Sequence, residues 1–343
     1  MTDPLAIARQ EADSLFVGGA EHGVSLALVV QHHGEVVLER YGRQPDTVFG
    51  PGGDVDAATT LVSWSMAKSI THAAVGLAVG DGLLDVNAPA PVLAWQGTDK
   101  EAITLLQLLE MRSGLEFVED YVDDSVSHCL EMLYGQGQHD MAAYAAGLAL
   151  IHEPGTVWNY SSGTTNIVAR IVTDALAARA GDAGDARDAR DPRDGGRELM
   201  ESYLRERLFV PAGMTSAVAK FDPAGTFVGS SYVYATARDF AAFGQLYLDD
   251  GLAAGTRILT AGWRDHARAP VSFDDDSGFG YGRQWWTWPW FPGSLGCHGY
   301  EGQYTIVVPD RDLVVVHLGK SPIEQRSTLT QSLTNVIEAY APR

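Results

Sequence analysis

The chain has 343 residues, of which 45% are hydrophobic and 20% charged, and its formal net charge is −20. That balance describes a folded globular protein of one or two domains and excludes a disordered chain. So acidic a surface is repelled by phosphate backbones and anionic headgroups, which argues against nucleic acid and membrane as partners.

The first dozen residues carry acids and lack a basic stretch followed by an apolar one, so no export leader is expected. No apolar run approaches about 18 residues, the length a spanning helix needs, and the expected setting is cytoplasmic. Residues 5–18 read as an amphipathic helix. Residues 24–30 and 35–41 flank His32-His33-Gly34, a hairpin pattern in which the histidines serve turn polarity and not metal binding. At Ser65 an apolar helical periodicity begins, and it runs to Gly80 and Gly82. Thr104 starts a further helix at Leu105, with Gly114 closing it. From 65 to about 212 the pattern stays mostly helical. Within it, residues 180–196 are low-complexity Ala, Gly, Asp and Arg, a self-neutralising surface insertion. Strand signals return at 303–308 and 313–318 around a Pro309-Asp310-Arg311-Asp312 turn, and residues 322–341 close the chain as a helix. Cys129 and Cys297 share no metal or redox spacing and read as free thiols.

These elements predict an α+β fold: an antiparallel sheet flanked by helices and built from both chain ends, with a mostly helical domain inserted. The sheet domain is expected over 1–60 and 213–343, and the helical domain over 61–212.

The chemistry concentrates at Ser65-Met66-Ala67-Lys68. On a helix, residues three apart share a face, so the Ser65 hydroxyl and the Lys68 amine can meet. A serine hydroxyl is a poor nucleophile until a neighbouring base takes its proton, and the first helical turn offers free N–H groups to a developing anion. The chain holds four lysines, Lys68, Lys100, Lys220 and Lys320, which makes Lys68 easy to single out. Tyr160 lies in Tyr160-Ser161-Ser162, a loop leading into a helix, where its phenol can reach a cleft and shuttle a proton beside an ammonium. Gly296-Cys297-His298-Gly299-Tyr300 precedes the paired C-terminal strands. Glycine there lets a substrate backbone approach, and a following N–H can complete an oxyanion hole with that of Ser65.

In this order, S-x-x-K near residue 65, Y-S-S some 95 residues later and an H-G strand near the end, the chain resembles the serine β-lactamase and penicillin-binding-protein superfamily. Within it the chain is most similar to class C β-lactamase-like hydrolases of the 6-aminohexanoate-dimer hydrolase and esterase branch. Met111-Arg112-Ser113-Gly114, Glu119-Asp120-Tyr121, Gly280-Tyr281-Gly282 and Gly302-Gln303-Tyr304 add to the resemblance, which covers nearly all of the chain outside 180–196. It implies a β-lactamase/transpeptidase-like fold, Ser65, Lys68 and Tyr160 as catalytic residues, and the N–H groups of Ser65 and Tyr300 as the oxyanion hole. Tyr121, Ser162, His298 and Gly299 would then contact substrate, with no metal and no cofactor. The family's K-T-G strand aligns best with Cys297-His298-Gly299, so its lysine is missing, and Ser162 replaces an amide side chain. Both losses turn the expectation away from β-lactams.

The expected activity is therefore a serine hydrolase that cleaves short-chain carboxylic esters and small linear amides through an acyl-enzyme on Ser65, with the small molecule as partner and room for a homodimer. The alternatives are a non-catalytic or slow-turnover binding protein on the same fold, or a true β-lactamase.

Overall fold

The Val-, Ile- and Leu-rich runs at the two chain ends are buried on both faces, and they meet as the centre of a single sheet. The computed structural model describes residues 4–17, 23–47, 50–121, 126–182 and 192–343. Its main sheet uses eight strands: β1 (Val24–His32), β2 (Glu35–Tyr41), β3 (Ser272–Asp274), β4 (Phe279–Tyr281), β5 (Trp286–Thr287), β6 (Leu295–Gly299), β7 (Gln303–Val308) and β8 (Leu313–Lys320). They pair in the order β3-β4-β5-β6-β7-β8-β1-β2, every pair antiparallel. The β1–β2 hairpin turns at His33 and Gly34, both at positive φ (54° and 79°). Two such residues give the turn twist that a tight hairpin needs. His33 Nδ1 lies 2.7 Å from Asp312, so this histidine belongs to the turn.

Side chains alternate across a strand, and the two faces of β1 accordingly enter two separate cores. Leu28 and Val30 pack with Ala8, Ala12 and Leu15 of α1 (Pro4–Val17) and with Leu329 and Leu333 of the C-terminal helix Arg326–Glu338. Ala27 and Val29 belong to the larger core that contains Ile70, Ala74 and Leu77 of α2 (Ala67–Gly80). In α2, every residue from Ala67 to Ala78 is buried. A helix enclosed on all sides is apolar all round, and polar residues within it therefore need partners.

The expected antiparallel sheet from both chain ends, flanked by helices, is what the structure has. The helical region comprises α2, α3 (Leu105–Leu109), α4 (His128–Tyr134), α5 (Met141–Gly147), α6 (Ser162–Asp182) and α7 (Pro192–Tyr203), besides shorter turns. Thr104 caps α3 in a reciprocal pair with Gln107, which is the start signal read from the sequence. That helix ends at Leu109, before Gly114. The low-complexity stretch is partly helical: residues 180–182 complete α6 and α7 begins at Pro192, while 183–191 fall outside the described residues. Both cysteines are buried free thiols. Among the described residues no helix is long and apolar enough to cross a membrane.

Candidate active site

Trp64 holds a left-handed backbone conformation, φ 44°, which a bulky residue adopts only where its surroundings enforce it. From it a 3-10 turn, Trp64–Met66, carries Ser65 into α2. Ser65 thus sits one tight turn before the α-helix proper. Ser63 fixes that turn: its N–H donates to the Val233 carbonyl at 2.8 Å, and its hydroxyl accepts from the Val233 N–H at 3.1 Å. Farther along α2, Ser69 donates to the Gln284 carbonyl (2.8 Å) and Thr71 to that of Gly229 (3.0 Å). The nucleophile candidate therefore stands on a rigidly held element, as positioning for catalysis requires.

Lys68 is 2% exposed. Its Nζ donates to Ser65 Oγ at 3.0 Å, to Ser162 Oγ at 2.9 Å and to the Ser230 carbonyl at 3.3 Å. Those contacts fix the nitrogen from three sides, with Ser65 Oγ as one of its three oxygen neighbours. The ring of Tyr160, in the loop before α6, faces the same nitrogen at 4.7 Å to its centroid, a cation–π contact. That ring packs against Trp286 (5.4 Å) and edge-on against Tyr281 (5.9 Å). Ser65, Lys68, Tyr160 and Ser162, spread over almost a hundred residues of sequence, are brought to one point.

Ser65 opens into a cleft of about 150 Å³, lined by Trp64, Tyr121, Leu133, Tyr134, Ser162 and Tyr300 among others. Aromatic and aliphatic walls with a few convergent polar groups are what small-molecule sites have. The rings of Tyr121 and Tyr300 meet at 4.9 Å across it. Gly299, at the end of β6, abuts the nucleophile turn: a Cβ there would lie 2.5 Å from the Ser63 carbonyl oxygen. Only a glycine lets β6 come so close, and this puts Tyr300, the next residue, beside Ser65.

His298 is placed differently from the expectation of a substrate contact. It is not among the residues lining the cleft. Side chains alternate along β6, so Cys297 enters the core with α2 while the His298 ring turns to the opposite face. There it stacks on Trp286 (5.3 Å, 7° between planes) and stands edge-on to Phe279, Trp288 and Tyr304. Trp288 Nε1 donates to its Nε2 at 2.9 Å, which leaves the ring proton on Nδ1. Burial, with the Arg326 guanidinium nearby, pushes its pKa down to about 3. This histidine is neutral and holds the aromatic wall behind Tyr160.

Two groups at the site escaped the reading of the sequence. The Ser230 carbonyl on Lys68 is a backbone contact, which no residue pattern announces. Glu119 was visible only as part of Glu119-Asp120-Tyr121. Its carboxylate accepts from the Ser162 N–H (2.7 Å), the Ser162 hydroxyl (2.5 Å) and the Tyr121 hydroxyl (2.6 Å). Burial and the charge of Glu119 push the Tyr121 phenol and the Cys129 thiol upward, so both stay protonated.

A half-buried serine paired with a buried lysine at the head of a central helix, facing β6 across an aromatic cleft, is an arrangement of the β-lactamase and transpeptidase type. A family model described as Beta-lactamase matches residues 12–329, and the chain belongs to that family. A 6-aminohexanoate-dimer hydrolase from Paenarthrobacter ureafaciens is 27% identical over 285 residues, covering 75% of this chain and 65% of that protein's length. Among solved structures, a Bacillus anthracis protein provisionally named 6-aminohexanoate-dimer hydrolase superposes with a TM-score of 0.72 at 21% identity, covering 96% of this chain and 81% of that one. A family VIII carboxylesterase does so at 0.68 and 16% identity, covering 99% and 97%. These structural likenesses speak for the fold.

Proposed function

We propose that this serine hydrolase cleaves short-chain carboxylic esters, and small linear amides of the 6-aminohexanoate-oligomer kind, through an acyl-enzyme on Ser65. The observation that carries the reading is the 3.0 Å contact between Lys68 Nζ and Ser65 Oγ at the floor of the cleft. Ser65 Oγ attacks the carbonyl carbon while its proton passes to Lys68, with Tyr160 sharing the transfer. The carbonyl oxygen becomes an oxyanion between the N–H groups of Ser65 and Tyr300. Collapse breaks the ester or amide bond, and the alcohol or amine leaves with the proton from the Lys68–Tyr160 unit. Water, deprotonated by the same unit, then attacks the acyl carbon and regenerates Ser65. Tyr121 and Ser162 border the path of the substrate, and Gly299 holds β6 close enough for the Tyr300 N–H to serve.

The substrate preference rests on what the cleft lacks. With Cys297 where the family's strand lysine stands, a β-lactam carboxylate has no cation on β6. A lost charge-assisted contact is worth about 1.5–3 kcal/mol, roughly ten- to a hundredfold in affinity. A small ester needs only the nucleophile, the proton relay and the oxyanion hole. Initial rates on p-nitrophenyl acetate and butyrate, linear aminohexanoate oligomers and nitrocefin, with Ser65→Ala as control, test the proposal. The expected order is esters first, linear amides next and nitrocefin last. Nitrocefin turnover exceeding the esterase rate would return the chain to true β-lactamases, and stoichiometric labelling without turnover would make it a binding protein.

A further inference from the structure

Among the described residues Glu119 has no basic side chain paired with it: what it holds is two hydroxyls, one backbone N–H and, at 3.7 Å, the Cys129 thiol. A carboxylate only accepts, and a hydroxyl has one proton to give. Ser162 spends its proton on Glu119 and therefore faces Lys68 with lone pairs alone, which is the role it plays in the 2.9 Å contact. Tyr121 spends its own proton in the same way and turns an acceptor-only oxygen to the cleft that it lines.

We propose that Glu119 is a positioning residue that sets the direction of the protons in Ser162 and Tyr121. Through Ser162 it holds the Lys68 amine on Ser65. Through Tyr121 it presents an acceptor to the substrate, which favours a scissile group bearing an N–H over one that does not. Lys68 is anchored from three elements, by Ser65, Ser162 and the Ser230 carbonyl, with the Tyr160 ring on a further side. Of these, only Ser162 has its orientation imposed by a second charged group. The inference rests on the serine-hydrolase reading and adds to it a residue that touches neither substrate nor nucleophile.

The test uses a matched ester and anilide, p-nitrophenyl acetate and 4-nitroacetanilide, with the full-length protein and the variants Glu119→Gln, Ser162→Ala, Tyr121→Phe and the two doubles containing Glu119→Gln. Thermal melts and fluorophosphonate labelling of Ser65 report whether each variant is folded. Glu119→Gln should lower kcat on the ester about tenfold or more, the worth of a lost charge-assisted contact, with KM little changed. The Glu119→Gln/Ser162→Ala double should be no slower than the worse single, because the two act as a unit. On the anilide, Glu119→Gln should lose several-fold more than on the ester, and that excess should vanish in the Tyr121→Phe background. Multiplicative losses in the Ser162 double, an unchanged ester kcat in Glu119→Gln, equal losses on ester and anilide, or a wild type inert on the anilide would each overturn the proposal. Turnover that survives Ser65→Ala would instead remove the hydrolase reading beneath it.

Discussion

The amine of Lys68 and the hydroxyl of Ser162, 94 residues apart in the chain, stand 2.9 Å from one another, and the same amine reaches Ser65 at 3.0 Å. The start of α6 is thereby tied to the nucleophile turn by one nitrogen. Lys68→Met keeps the volume and removes the base, so kcat should fall by about 10²–10⁴, the usual contribution of a positioned general base. Ser162→Ala keeps the base and loosens it, for an expected loss of about ten- to a hundredfold. Steady-state rates on a p-nitrophenyl ester measure both. A Ser162→Ala loss as large as that of Lys68→Met would mean that the serine itself moves the proton.

Tyr160 presents its ring face to the same nitrogen at 4.7 Å. Two substitutions separate ring from hydroxyl. Tyr160→Phe keeps the cation–π face and should still cost about 10²–10⁴ in kcat if the phenol shares the proton transfer. Tyr160→Leu removes both and should be only slightly worse. If Tyr160→Phe works at the normal rate and Tyr160→Leu does not, the tyrosine is a wall.

Gly299→Ala tests the join between sheet and nucleophile turn. The added Cβ would lie 2.5 Å from the Ser63 carbonyl oxygen and 2.9 Å from the Gln303 Cβ, so β6 must retreat from Ser65. A displacement near 1 Å can cost about a hundredfold in rate, and kcat should drop by that order while the protein stays folded. Retained activity would show that the Tyr300 N–H does not serve the oxyanion.

Three enclosed histidines make stability depend on pH. Burial pushes His266 down to about 4 and His298 to about 3, and His72, facing His266, lies well below its ordinary 6.5. These folded-state values lie below the unfolded ones, so the unfolded chain takes up protons that the folded one refuses. Stability is fully present above about pH 6.5 and declines as the pH falls toward 4. Most carboxylates titrate below about 4.5, which leaves the interval from 6.5 to 4.5 to the histidines. Denaturant midpoints at half-unit steps should fall steadily across it. A flat or rising midpoint there would contradict the burial of these rings.

What the sequence disclosed follows what local geometry encodes. Ser65 and Lys68 were readable as neighbours because three residues on a helix fix a face, and Thr104 because a capping residue precedes its helix. The hairpin at His33-Gly34 was readable from its turn residues, and the strands at 303–308 and 313–318 from apolar, β-branched runs on either side of a Pro309-Asp310-Arg311-Asp312 turn. Alternation does not say which face of a strand meets which layer, and so His298 was read toward the substrate when its ring belongs to the opposite core. Glu119 was hidden for another reason: its partner Ser162 lies 43 residues further along, in contact only once α6 is docked. The 180–196 stretch is shortened because α6 runs on to Asp182 and the next helix starts at Pro192, the first helical position that proline favours.

The most direct measurement is a trapped intermediate. The protein, mixed with p-nitrophenyl butyrate and quenched in acid within the first turnovers, is weighed intact and then as peptides. The account predicts a mass increase of one butyryl group, located on Ser65, together with a burst of nitrophenol, and neither in Ser65→Ala. Turnover without any acylated protein, or an acyl group on another residue that survives Ser65→Ala, would contradict it.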